Sequence, residues 1–216
     1  MKRILLITLF VIVILTGCNL RVMPPADVYV CGFENNGSNA VAKWWLNGVP
    51  QPDLTNGNND SVALSIFVYK KNVYICGYEN DGSNNVAKWW VNGEEQSDLT
   101  DGTSDAEAKS IFVYNGDVYI CGFDGNIPVY WKNNQRIELP YVQTSAKATS
   151  IFVDQGVVYI CGYENDGSID TPVYWKEGIK TILTYTGTQG QATSIFVCEN
   201  NVYISSRIAD PGYLAR

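Results

Sequence analysis

Histidine is absent from this 216-residue chain, which removes much of the usual chemical repertoire. Without imidazole there is no Ser–His or Cys–His nucleophile system and no His-ligated metal. What remains is carboxylate and thiol. The chain carries 22 Asp and Glu, and a carboxylate pair is the minimum a glycoside-cleaving enzyme needs. Many of these acids fall in polar segments of similar wording. Glu34-Asn-Asn-Gly-Ser-Asn39, Glu79-Asn-Asp-Gly-Ser-Asn84 and Glu164-Asn-Asp-Gly-Ser168 form one class, and Asp101-Gly-Thr-Ser-Asp-Ala-Glu107 stands for a second. The candidate ligand-facing residues are therefore Glu34, Glu79, Asp81, Asp101, Asp105, Glu164 and Asp166. The competing reading is turn chemistry alone, since Asn, Asp, Gly and Ser are what tight loops require. No segment has the dense Asp-x-Asp-x-Asp series of a calcium loop, and no Cys pair has zinc spacing, so neither metal nor cofactor is expected.

The thiols are placed too regularly to be a disulfide framework. Cys31, Cys76, Cys121 and Cys161 occupy one repeated position, and Cys198 stands alone. If their strands lie in stacked sheets about 10 Å apart, no two can meet the roughly 7 Å limit for a bridge. They are expected to be reduced, shielded, small core residues. Aromatic pairs recur with them as Trp44-Trp45, Trp89-Trp90, Tyr130-Trp131 and Tyr174-Trp175. Adjacent strand residues point to opposite faces, so each pair reads as packing toward two neighbours, not as one sugar-stacking wall.

These residues are positioned by an internal repeat. Val-Tyr recurs at 28, 73, 118, 158 and 202, and Ser-Ile-Phe-Val at 65, 110, 150 and 194. Residues 28–72 and 73–117 share 28 of 45 positions. A period of 40 to 45 residues is the size of a four-stranded propeller blade. Asn47-Gly48, Asn92-Gly93 and Asn115-Gly116 predict two-residue type I′ hairpins. In the second unit the expected strands are Val73–Tyr78, Val86–Val91, Gln96–Thr100 and Ser110–Tyr114. Val-Tyr-Ile-Cys-Gly-Tyr is apolar on both faces and so needs a neighbour on each side. The third repeat is short between Cys121 and Trp131, where Asp124-Gly125 replaces the longer tip. The two loop classes are expected on one face and the Asn-Gly turns on the other. Strand Ser194–Val197 could close a ring against Val28–Cys31, although Val202–Ser205 competes for that slot.

The N-terminus carries a different signal. Lys2 and Arg3 precede an apolar run, Ile4–Leu15, which is too short to span a hydrocarbon core of about 30 Å as a helix. It ends in Leu15-Thr16-Gly17-Cys18, which resembles the bacterial lipobox. That resemblance implies a signal peptide over 1–17 and diacylglycerol with palmitate-type chains on Cys18. Each buried methylene would contribute about 0.8 kcal/mol to membrane attachment. Residues 18–27 then read as a tether, 28–205 as the repeat array and 206–216 as a divergent tail. After residue 17, 13 Lys and Arg stand against 22 Asp and Glu, a net charge of −9 with no basic block. Nucleic acid is not an expected partner.

The unit Ser-Ile-Phe-Val…Val-Tyr-Ile-Cys-Gly-Tyr…Trp is similar to that of bacterial lipoproteins built from tandem β-propeller-type repeats, a group that supplies no activity. The expectation is an all-β protein, a β-propeller of four-stranded antiparallel blades with about four repeats plus a partial one. A β-solenoid or open stack is the structural alternative. In function the chain is expected to be a non-catalytic interaction module, membrane-anchored through its lipid in the bacterial cell envelope, with a protein or glycan partner. Two alternatives stand beside it: a carbohydrate-active propeller enzyme, or a truncated array without a function of its own. A sialidase-like propeller would need an arginine cluster, and after residue 17 arginine is limited to Arg21, Arg136, Arg207 and Arg216.

Overall fold

Two-residue turns set the architecture. Asn47 and Gly48, Asn92 and Gly93, and Asn115 and Gly116 all have positive φ, as type I′ hairpins require. The same solution recurs at Lys70-Lys71, Asn133-Asn134, Gln155-Gly156, Glu177-Gly178 and Glu199-Asn200, where the sequence signal is weaker. The computed structural model describes residues 26–184 and 187–209. The signal segment, Cys18 and most of the tether lie outside the described residues, as does the end of the tail.

The described residues are all-β, with five antiparallel sheets. The first holds β1 (Tyr29–Asn35), β2 (Ala40–Leu46) and β3 (Val49–Pro50). The second holds β4 (Ser61–Tyr69), β5 (Asn72–Asn80), β6 (Asn85–Val91) and β7 (Glu94–Glu95). In the third are β8 (Ala106–Tyr114), β9 (Asp117–Asp124), β10 (Ile127–Lys132) and β11 (Gln135–Glu138). The fourth contains β12 (Ser145–Asp154), β13 (Val157–Asn165), β14 (Asp170–Lys176) and β15 (Ile179–Ile182). The fifth is a hairpin of β16 (Gln189–Cys198) and β17 (Asn201–Ala209). Strand order follows sequence order in every sheet. The expected strand at Gln96–Thr100 is replaced by β7, because the Asn92-Gly93 turn pairs Glu94 and Glu95 directly with Val91 and Trp90. Likewise β17 runs four residues past Ser205 into the divergent segment.

Each sheet packs on the next. The first strand of a sheet lies across the first three strands of its predecessor: β8 over β4, β5 and β6, then β12 over β8, β9 and β10, then β16 over β12, β13 and β14. Outer strands of adjoining sheets make no comparable contact, so the sheets are splayed. On β5, Val73 and Ile75 face the first sheet together with Trp90. Tyr74 and Cys76 face the third, with Trp89 and Phe67. The aromatic pairs therefore divide between two interfaces, as do Tyr130 and Trp131. Burying side chains of this size stabilises by roughly 1.5–3 kcal/mol each, which makes the junctions the main source of cohesion.

Two devices repeat at the junctions. Phe67, Phe112, Phe152 and Phe196 form a row with centroid separations of 4.7, 4.7 and 5.1 Å. Beside it, Ile111, Ile151 and Ile195 donate their backbone N–H groups to the hydroxyls of Ser65, Ser110 and Ser150 at 3.2 to 3.3 Å. Those serines follow a β-bulge in β4, β8 and β12. The bulge swings a carbonyl toward the neighbouring strand, and a Cβ on Gly77, Gly122 or Gly162 would sit 1.9, 1.9 or 2.0 Å from it. Glycine is obligatory there for close approach, not for φ.

The ends of the stack differ from its middle. β16 pairs with β17, not with Val28–Cys31, and the fifth sheet makes no extensive contact with the first. Among the described residues, the β1 edge not bonded to β2 has no strand beside it.

Candidate functional site

The loop chemistry begins with hydrogen bonds inside each tip. Asp81 Oδ1 accepts the N–H groups of Ser83 and Asn84 at 2.8 and 2.9 Å. Asp166 does the same for Ser168 and Ile169 at 2.9 and 2.8 Å, and Asp101 accepts from Thr103 N–H and Oγ1. Backbone donors hold Asp81 and Asp166 below the usual carboxylate range, and the Thr103 hydroxyl followed by its N–H does so for Asp101. Asp105 Oδ1 accepts the Asn85 N–H across to the neighbouring loop, and Asn84 Nδ2 donates to Gly102 O. Asn36 and Asn39 make the equivalent bonds to Gly57 O. Hairpin tips and inter-sheet loops thus lie together on one face.

The three glutamates are not in those loops. Glu34, Glu79 and Glu164 belong to β1, β5 and β13, because pairing continues through them: Glu79 opposes Ser61 on one side and Val86 on the other. Each meets a lysine. Lys43 bridges Glu34 and Asp53 at 3.4 and 2.8 Å. Lys88 gathers Glu79, Glu95 and Asp98 at 3.7, 2.7 and 2.9 Å. Lys180 Nζ sits 2.5 Å from Glu164, which is 1% exposed. Burial raises the Glu79 carboxyl above its ordinary value, with Lys88 opposing the shift. Of the seven candidate residues, Asp81, Asp101, Asp105 and Asp166 staple loops, while Glu34, Glu79 and Glu164 are strand residues that each pair with a lysine.

A different place on the same face does gather unlike groups. A shallow cleft of about 520 Å³ opens between the loop after the second sheet and the edge of the third. Asp98, Asp101, Thr103, Ser104, Asp124 and Arg136 line it. The Arg136 guanidinium bonds Asp124 through Nε at 3.1 Å and Glu138 through Nη1 at 2.6 Å. Ser104 Oγ donates to the other Asp124 oxygen at 2.6 Å. The cleft exists because β9 and β10 are joined by the short Gly125-Asn126 turn, leaving uncovered what a longer tip fills elsewhere. Arg136 was visible in sequence only as a departure from the repeat, and its pairing across β10–β11 to β9 gave no local signal. The cleft carries hydroxyls, carboxylates and one guanidinium but no thiol. No aromatic ring lines it.

The thiols lie elsewhere. Cys76, Cys121 and Cys161 are buried, Cys31 is half-buried and Cys198 is exposed; all five are free. Desolvation raises the first two well above the ordinary thiol value and raises Cys161 and Cys31 to about 11. The expectation that all five are shielded is corrected at Cys198, the last residue of β16, which no following sheet covers among the described residues. Among the described residues, no cluster of three His, Cys, Asp or Glu side chains is arranged to hold a metal ion. In comparisons with known proteins, no family model matches the chain and no curated protein matches it.

Proposed function

We propose that the chain is an exported, lipid-anchored interaction module of the bacterial cell envelope, in which propeller-type sheets present a non-catalytic polar cleft to a protein or glycan partner. The observation that carries the reading is the cleft at the third sheet. It combines hydrogen-bond donors and acceptors on Thr103, Ser104, Asp101 and Arg136, a surface suited to a polyhydroxyl or peptide ligand. Its groups pair with one another, Arg136 with Asp124 and Glu138, Ser104 with Asp124 and Thr103 with Asp101, which supports binding over turnover. The splay of the sheets and the Phe row at their close side support a propeller-type arrangement. Attachment rests on the Leu15-Thr16-Gly17-Cys18 signature.

The test pairs a glycan array and an envelope pull-down with two variants. Arg136→Ala combined with Asp101→Asn is expected to lower partner recovery at least tenfold, and a variant altered at Asn47 and Asn92, at the opposite end of the sheets, is expected to retain it. Loss only in the second variant, both being folded, would place the site on the other face. Turnover of a glycoside substrate would replace binding with catalysis. Cys18→Ser should abolish palmitate labelling and release the protein from membranes. A membrane-bound Cys18→Ser chain overturns the lipid anchor.

A further inference from the structure

The junction between sheets is built the same way three times, and its two halves are left open at the ends of the stack. Among the described residues the first sheet has no bulged Ser-Ile-Phe-Val strand. Its absence leaves Val68 of β4 38% exposed, where Val113 and Val153 at the same position are 3% and 2% exposed. Among the described residues no sheet precedes the first, which leaves Val28 and Val30 open; their counterparts on β5, Val73 and Ile75, are buried against the first sheet. At the other end, β16 carries a complete bulged strand whose outer residue, Phe196, is 53% exposed. Among the described residues it is the last ring of the Phe row, with no sheet beyond it.

The glycine rule decides which strand β16 is shaped to pair with. Opposite the bulge stand Gly77, Gly122 and Gly162, facing Ala63, Ala108 and Ala148. In the fifth sheet Ser206 faces Ala192, so the slot that admits no Cβ in the other sheets holds a serine. In the first sheet the slot holds Gly32, and the nearest atom to a Cβ built there is a Trp45 ring carbon at 3.7 Å. The glycine is present and the bulged carbonyl it would accommodate is missing.

We infer that the open edge of β1 receives the Gln189–Cys198 strand of a second copy of this chain, displacing that copy's β17. By the register of β4 on β5, Ser194 would oppose Cys31, Ile195 would oppose Val30 and Ala192 would oppose Gly32. Phe196 then covers Ile66 and Val68, and Ser194 Oγ faces the Ile66 N–H, extending the Ser–Ile series. The strand comes from another chain because within one chain the fifth sheet makes no extensive contact with the first. A donor strand from a second copy keeps its own support, since Ile195 and Val197 remain packed on their fourth sheet. The interface is heterologous, so the stack continues from copy to copy and ends in a ring if the rotation closes. This inference is independent of the polar cleft.

The experiment places a thiol at 194 in the full chain in detergent. Ser194→Cys under mild oxidation is expected to give a crosslinked dimer, with peptide mapping joining position 194 to Cys31 of the other copy. Cys31→Ser should abolish it. Three results overturn the inference: a 31–194 link within one chain, which assigns the slot to the chain's own strand; no link to Cys31; or full-yield crosslinking of a Ser194→Cys/Ser205→Cys variant with no link to Cys31. Should Ser194→Cys fold poorly, sedimentation of the unmodified chain decides. A dimer or larger species is expected, weakened at least tenfold by Phe196→Asp, and a monomer overturns the proposal.

Discussion

Gly122 shows how much one missing methyl group can matter. A Cβ there would lie 1.9 Å from the Glu107 carbonyl oxygen, so Gly122→Ala must break the bulge or the strand pairing. A loss of about 3 kcal/mol is expected, in the range of severe steric substitutions, and urea denaturation reads it. Gly32→Ala meets nothing closer than 3.7 Å and should leave the stability of a single chain within about 0.5 kcal/mol. Equal losses at both positions would remove the bulge explanation. The cysteines make a second residue-scale prediction. Thiolate is the reactive form, and burial suppresses it at Cys76, Cys121, Cys161 and, less completely, Cys31. Alkylation near neutral pH should label Cys198 first and Cys31 slowly, and the other three only after denaturation; mass spectrometry of timed samples checks the order.

The elements themselves were largely legible. Asn-Gly pairs and the Val-Tyr and Ser-Ile-Phe-Val markers predicted hairpins that the structure contains, because turn chemistry is local. Asn92 has φ 52°, and its Oδ1 accepts the Val73 N–H at 2.8 Å. Asn92→Val, which forces a β-branched residue into that conformation and deletes the acceptor, should cost about 2 kcal/mol in thermal denaturation. The bulge was not legible, since a single unpaired residue between Ala63 and Ser65 has no composition of its own. The site was read less well than the elements. Glu79 looked like a loop acid because Glu-Asn-Asp-Gly reads as one polar run, but cross-strand pairing extends through it and it shares Lys88 with Glu95 and Asp98. Arg136 and Asp124 are twelve residues apart and meet only across β9, β10 and β11.

At the scale of the molecule, cohesion passes from each sheet to its neighbour and does not skip one. Stability in such an array is the sum of unit and nearest-neighbour terms. The second, third and fourth sheets have both faces covered, while the first and fifth have one. Hydrogen exchange should therefore be slowest in β8, β9 and β13 and fastest in β17 and β3, with the gradient falling toward both ends. Uniform protection would mean that the ends are closed against each other, within one chain or from copy to copy.

The repetition of the Ser–Ile bond, the Phe contact and the glycine slot at successive junctions also bears on how such a gene can change length. Any bulged strand matches any Gly-bearing strand, so a crossover between misaligned copies joins compatible halves. Deleting residues 73–117 would set β4 against β9, bringing Ala63 opposite Gly122 and Phe67 beside Phe152. The shortened chain is expected to fold with a cooperative transition, lower in midpoint by the loss of one junction. Copy number would then be the most easily inherited variable of this protein, altered in a single event while every interface keeps its fit.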